Sequence, residues 1–179
     1  MWRTVGDDLL LSELTRLDRE ALVEHLADKE IHDWTVSIPH PYTLQSADDF
    51  IGRCATKAAG APTAVTWAIR TKHDNGLIGC IGLEPGGRLG PHRADMGYWL
   101  AREHRGKGIM TRVVNKVCEV GLGEMELVRI SATVFEGNER STRLLERCGF
   151  AIEGRLKHYL LKDGRVCDGL LYARTVSLG

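Results

Sequence analysis

The stretch that most restricts what this chain can fold into runs from Ala94 to Val120. Ala94, Met96, Tyr98 and Leu100 alternate with Asp95, Gly97 and Trp99, the period of a strand. From Ile109 the apolar residues fall at Ile109, Met110, Val113, Val114, Val117 and Val120, the period of a helix. Between them lies Arg105-Gly106-Lys107-Gly108. A strand that feeds a helix through so short a turn commits the chain to layered α/β packing. The helix start offers free backbone N–H groups and a positive dipole end. Glycines let that backbone approach a ligand, and two cations flank it. The combination suits a phosphate or pyrophosphate. It is not a Walker loop, because Gly108 stands where Ser or Thr is needed, and not a Rossmann fingerprint, because Thr111 replaces the third glycine.

The other elements follow from periodicity and punctuation. Asp8 to Leu14 predicts a first strand, and Asp18 caps a helix through Leu22, Val23 and Leu26. Ile31 to Tyr42, with Pro39 and Pro41, predicts a loop anchored by apolar side chains. A second helix starts near Ser46 and runs to about Lys57, and Gly60-Ala61-Pro62 breaks the chain. Val65 to Arg70 and Leu77 to Leu83 read as strands joined by an Asp74-Asn75-Gly76 turn. Pro85 to Pro91 is expected to be an exposed loop. Val128 to Val134 is a further strand. Asn138 opens a helix through Leu144 and Leu145, which Gly149 closes with Phe150 packing back. A final hairpin spans Ala151 to Val176, turning at Asp163-Gly164. The order is strand, two helices, three strands, helix, strand, helix, two strands. It predicts one mixed α/β domain over residues 1–179.

Composition excludes several classes. Lys plus Arg and Asp plus Glu both number 24, so bulk charge gives no support to nucleic-acid binding. No apolar run approaches membrane-spanning length. The five cysteines are odd in number and form no C-x-x-C pair, which argues against a disulfide framework or zinc site and for reduced thiols in a cytoplasmic protein. The start lacks a basic region followed by an apolar run, so no secretory signal is expected. The seven histidines show no ligand spacing, and no metal is expected.

Taken together, these residues resemble the GNAT superfamily of N-acetyltransferases. The acetyl-CoA pattern of that superfamily, Gln/Arg-x-x-Gly-x-Gly/Ala, reads here Glu103-His104-Arg105-Gly106-Lys107-Gly108, departing at Glu103. A narrower resemblance is to the RimJ/RimL-like branch of ribosomal-protein N-terminal acetyltransferases. Its carriers are Gly97-Tyr98-Trp99-Leu100, Gly106 to Ile109, Asn138 to Ser141, Gly149-Phe150 with Glu153-Gly154, and Asp168 to Tyr172. The resemblance implies a GNAT-like acyl-CoA N-acyltransferase fold of the α/β (α+β) class, a mixed central sheet of about seven strands flanked by about four helices. It also implies that residues 1–60 shape the acceptor site and 94–150 bind acetyl-CoA.

The implied reaction is attack of a primary amine on the acetyl thioester. The amine must lose its proton, the oxyanion needs donors, and the departing thiolate needs stabilising. On the resemblance, acetyl-CoA is held by Trp99, Leu100, Ala101, Arg105, Gly106, Lys107, Gly108, Ile109, Met110, Thr111, Asn138 and Arg143. The backbone N–H groups of Tyr98, Trp99 and Leu100 would meet the thioester carbonyl. Ser141 is placed to protonate or hydrogen-bond the thiolate, while Asn138 is also an ordinary N-cap. The base is Asp95, His158 or a water chain. Asp95 also suits a strand-end ion pair, and the glutamate that the branch can use falls at Leu160 here. Trp34, Tyr42 and Asp168 are the candidate acceptor-side residues. The acceptor is a protein or peptide N-terminus; a small-molecule amine is the alternative within the class, and a non-catalytic acyl-CoA sensor the alternative outside it. The branch often pairs as homodimers.

Overall fold

The computed structural model describes residues 2–60, 65–86 and 90–177. Their centre is one eight-stranded sheet in the order β1-β2-β3-β4-β5-β6-β8-β7. The strands are β1 (Arg3–Val5), β2 (Leu9–Ser12), β3 (Val65–Thr71), β4 (Leu77–Pro85), β5 (Arg93–Leu100), β6 (Arg129–Phe135), β7 (Ala151–Lys162) and β8 (Arg165–Thr175). All neighbours are antiparallel except β5 and β6. Five helices flank the sheet: α1 (Arg19–Leu26), α2 (Lys29–Asp33), α3 (Leu44–Gly60), α4 (Ile109–Glu119) and α5 (Glu139–Arg147).

Strand alternation sorts side chains into two cores. Met96 and Leu100 of β5 join Val113, Val117 and Leu145 beneath α4 and α5. Trp99 and Ala101 turn the other way, to Leu22, Leu26 and Ile51 beneath α1 and α3. The crossover from β5 to β6 is made by α4, as a parallel pair requires.

The mixed α/β architecture matches expectation, and three details differ. The first strand is a hairpin, β1 and β2, turning through Gly6 to Asp8. The expected loop from Ile31 holds the end of a short helix, α2, whose N-cap Asp28 accepts a hydrogen bond from the Glu30 N–H at 3.1 Å. The sheet and helix counts are therefore eight and five among the described residues. The loop expected from Pro85 to Pro91 lies at 87–89 outside the described residues, as does the break at Ala61-Pro62.

The other turns follow their chemistry. Asp163 and Gly164 both have positive φ (49° and 76°) and join Lys162 to Arg165 as a two-residue hairpin. Gly149 takes φ 77°, and Phe150 N–H donates to Leu145 O at 3.0 Å, closing α5.

Candidate active site

The site exists because two parallel strands part. β5 and β6 pair only from Arg93 to Asp95 against Arg129 to Ser131, yet β5 continues to Leu100 and β6 to Phe135. A cavity of about 500 Å³ opens at the split, lined by Met96 to Trp99 on one side and Ala132 to Phe135 on the other. The register decides what β5 shows to it. Ala101 N–H donates to Ile78 O at 2.9 Å, so the hydrogen-bonded pairs with β4 step back through Trp99–Cys80 and Gly97–Gly82. The backbone groups of Met96, Tyr98 and Leu100 then turn away from β4 and toward the split. Arg105 Nε confirms the sense by donating to Leu100 O at 3.0 Å from that side. The N–H groups facing the split are thus those of Tyr98 and Leu100. Trp99, the third N–H expected to meet the thioester, faces β4 in this register, as does Ala101; the Trp99 side chain lines the cavity.

The glycine turn follows. Gly106 and Gly108 have φ 76° and 71°, and a Cβ at either would meet open space. Gly108 is the N-cap of α4, and the first intrahelical bond is Arg112 N–H to Gly108 O at 3.3 Å. The N–H groups of Ile109, Met110 and Thr111 precede it and have no intrahelical acceptor. Unspent helix-start donors beside an unoccupied approach fit a diphosphate. Lys107 is exposed in the turn and makes no ion pair among the described residues.

Arg105 departs from expectation. Its guanidinium binds Glu30 at 2.7 Å and Asp28 at 2.9 Å. Arg102 and Arg140 grip the same two carboxylates, each at 2.7 Å. The Arg102 hydrogen bond outweighs burial and holds Asp28 below the usual carboxylate range. Arg105 thereby ties the turn to α2.

Gly108→Ala isolates the turn. A β-carbon at this φ costs about 1 kcal/mol with no clash to relieve. The melting temperature should fall slightly and KM for acetyl-CoA should rise, with KM for the acceptor unmoved.

Ser141 and Asn138 both line the cavity. Asn138 Oδ1 accepts from Ser141 N–H at 3.2 Å, the N-cap bond of α5. Across from them Tyr98 presents its hydroxyl toward Ser141; burial pushes this phenol up to about 12, with Ser141 opposing. Arg143 is exposed, paired with Glu139 one turn earlier on α5, and does not line the cavity.

Neither expected side-chain base lines the cavity. Asp95 sits where β5 and β6 still pair, bound by Arg93 at 2.9 Å and by the Ser131 hydroxyl. His158 is exposed in a bulge of β7, with φ 54° and its N–H on Asp168 at 2.8 Å. The carboxylates that line the cavity are Glu84 of β4 and Asp49 of α3, with Arg53 nearby. Glu84 lies directly opposite Asp95 in the β4–β5 register, on the same face as Gly82 and Gly97. Its sequence signal is a carboxylate ending an otherwise apolar strand.

The acceptor side is apolar at its mouth, with Trp34, Val36, Ile38, Pro39, Tyr42 and Phe50. Trp34 packs edge-on against Phe135, with centroids 6.4 Å apart. Beyond that pair a second, separate cleft of about 560 Å³ lies between α2 and the β7–β8 hairpin, and Trp34 and Phe135 line both. Asp168 belongs to this second cleft, held by Arg155 at 2.9 Å. A slot with backbone donors, a hydroxyl and a carboxylate, on a strand that leads into the glycine turn, can hold a thioester, receive an amine and polarise both.

No group of metal-ligating side chains occurs among the described residues, and no described helix is long and apolar enough to cross a membrane. The chain is 31% identical over 169 residues to the uncharacterized N-acetyltransferase YoaA of Bacillus subtilis, covering 93% of each. Over 84 residues it is 36% identical to the ribosomal protein uS5-alanine N-acetyltransferase of Escherichia coli, covering 47% of this chain and 43% of that one. The solved structure of Mycobacterium smegmatis RimJ in complex with CoA-disulfide superposes with a TM-score of 0.83 at 26% identity, over 98% of this chain and 85% of that one. The family model described as the acetyltransferase (GNAT) domain matches residues 8–151. With that match lying on the split sheet and its glycine turn, the chain belongs to the GNAT family of acetyltransferases.

Proposed function

We propose that this acetyltransferase moves the acetyl group of acetyl-CoA onto the α-amine of a peptide or protein N-terminus. The observation that carries the reading is the second cleft that adjoins the cavity on its acceptor side. The cavity and the second, charged cleft share Trp34 and Phe135 as lining residues, one on each side of that pair. A chain end can reach the thioester there while the following residues leave along the cleft. The similarity to an enzyme that acetylates a ribosomal-protein alanine supports the same acceptor class.

The residues divide the work as follows. The glycine turn and the first turn of α4 hold the diphosphate. The Tyr98 and Leu100 N–H groups, which face the split, would stabilise the charge that grows on the thioester oxygen. Glu84 takes the proton of the incoming ammonium, directly or through water. Ser141 hydrogen-bonds the sulfur as it leaves.

The test is thiol release from acetyl-CoA across N-terminal peptides and small amines. Peptides should be acetylated with a higher kcat/KM than spermidine, free amino acids or aminoglycosides. Faster turnover of any of these amines would overturn the acceptor assignment. Binding of acetyl-CoA with no thiol released on any acceptor would point to a sensor.

A further inference from the structure

The phenolic oxygen of Tyr98 is buried and closes no well-formed hydrogen bond among the described residues, although the Ser141 side chain is near enough to act on it. A buried hydroxyl left unmade is costly, and one on a cavity wall calls for an explanation. Its side chain leaves β5 on the face of α4 and α5, the face from which Ser141 enters the same cavity. The polar group it faces is the Ser141 side chain. Ser141 has its backbone fixed by Asn138, but that bond leaves its hydroxyl free to rotate. A serine hydroxyl has one hydrogen to give and two lone pairs to fill. It donates to sulfur most effectively when a second donor occupies a lone pair and sets the rotor.

We propose that Tyr98 is a positioning residue for the leaving group: its phenol donates to Ser141 Oγ and turns the serine hydrogen toward the departing sulfur. This rests on the acetyl-transfer reading of the same site. The phenol stays protonated well above neutrality, so it remains a donor throughout the working range. In the step itself the amine nitrogen bonds the carbonyl carbon, the C–S bond breaks and its electron pair passes to sulfur. The proton shed by the amine goes to the base and then to water. The thiolate, held by the Ser141 hydroxyl, takes a proton from water on release. Neither hydroxyl loses its own hydrogen, and no further reactant is needed.

The test is a double-mutant cycle of Y98F, S141A and Y98F/S141A, read as single-turnover rate and as KM for acetyl-CoA. Y98F keeps the ring and its packing, so the fold should persist. With one hydrogen bond at stake, its turnover should fall about tenfold while KM stays within about twofold. Added to S141A, it should change the rate by less than about twofold, because the hydroxyl it orients is gone. Losses that multiply, a loss confined to KM, or an unchanged Y98F rate would each overturn the proposal. The cycle is run on whichever acceptor the wild-type chain acetylates fastest. A wrong acceptor class would then show in the wild-type panel and leave the cycle readable.

Discussion

Glu84→Gln is expected to lower kcat by about two to three orders of magnitude, the range of a general base removed without loss of shape. The amide keeps the size of the side chain and cannot accept the amine proton. Acetyl-CoA binding should be unchanged, because Glu84 stands on β4, away from the glycine turn. The variant should also lose the acid-side limb of the pH dependence of kcat/KM, because the carboxylate proposed to accept the proton is gone. Asp95→Asn and His158→Ala supply the contrast. Asp95 is occupied by Arg93 and Ser131, and His158 lies outside the cavity, so both should retain turnover within about threefold and the wild-type profile. An Asp95→Asn profile that loses its limb while Glu84→Gln keeps it would reverse the assignment.

The contrast between Glu84 and Asp95 also shows where sequence reasoning reaches its limit. Alternation along β5 places Asp95 on the same face as Trp99, and that is correct for the strand. Which end of that face is open depends on where β6 leaves β5, and the parting point after Ser131 is written in no local pattern. Arg105 meets the same limit. A cation beside two glycines suits a phosphate, but Asp28 and Glu30 reach it from a distant helix and satisfy it first. The central strand, the glycine turn, α4, α5 and the last hairpin were legible because each is specified by adjacent residues: a period, a positive-φ glycine, a cap. β1 offers three residues and α2 five, too few for a period to register. α2 persists because Asp28 caps it and three arginines pin its first turn, contacts that only the folded chain supplies.

Arg70→Met is expected to be the most destabilising single change outside the site. Arg70 is a buried arginine in β3, and its guanidinium spans Asp18 with bonds of 2.7 and 2.8 Å. It also donates to the Ser12 hydroxyl at 2.7 Å and to the Glu13 and Asn75 carbonyls at 3.3 Å. Asp18 stands just before α1 and is equally buried, so the pair pins that helix to the sheet. Leu22 and Leu26 follow on α1, and Leu26 lines the cavity, which makes the clamp a support of the acceptor wall. Replacing a buried ion pair whole can be nearly neutral, but removing one partner strands the other. The expected loss is about 3–5 kcal/mol, a fall in melting temperature of about 10 °C. The pH dependence carries the sign. Burial opposes the charge of Asp18, but hydrogen bonds from Arg70 and Thr15 outweigh it and hold the carboxyl below its ordinary 3.8. In the wild type this contribution is complete above that value and is lost as pH falls through the lower folded value. In Arg70→Met only burial and the Thr15 bonds act on Asp18, and the pull to lower values that Arg70 supplies is gone. The stability gap between the variant and the wild type should therefore narrow on acidification, as the lone carboxylate protonates. Thermal melts from pH 7 down to below 3.8 measure it, and a gap that widens on acidification would refute this account of the clamp.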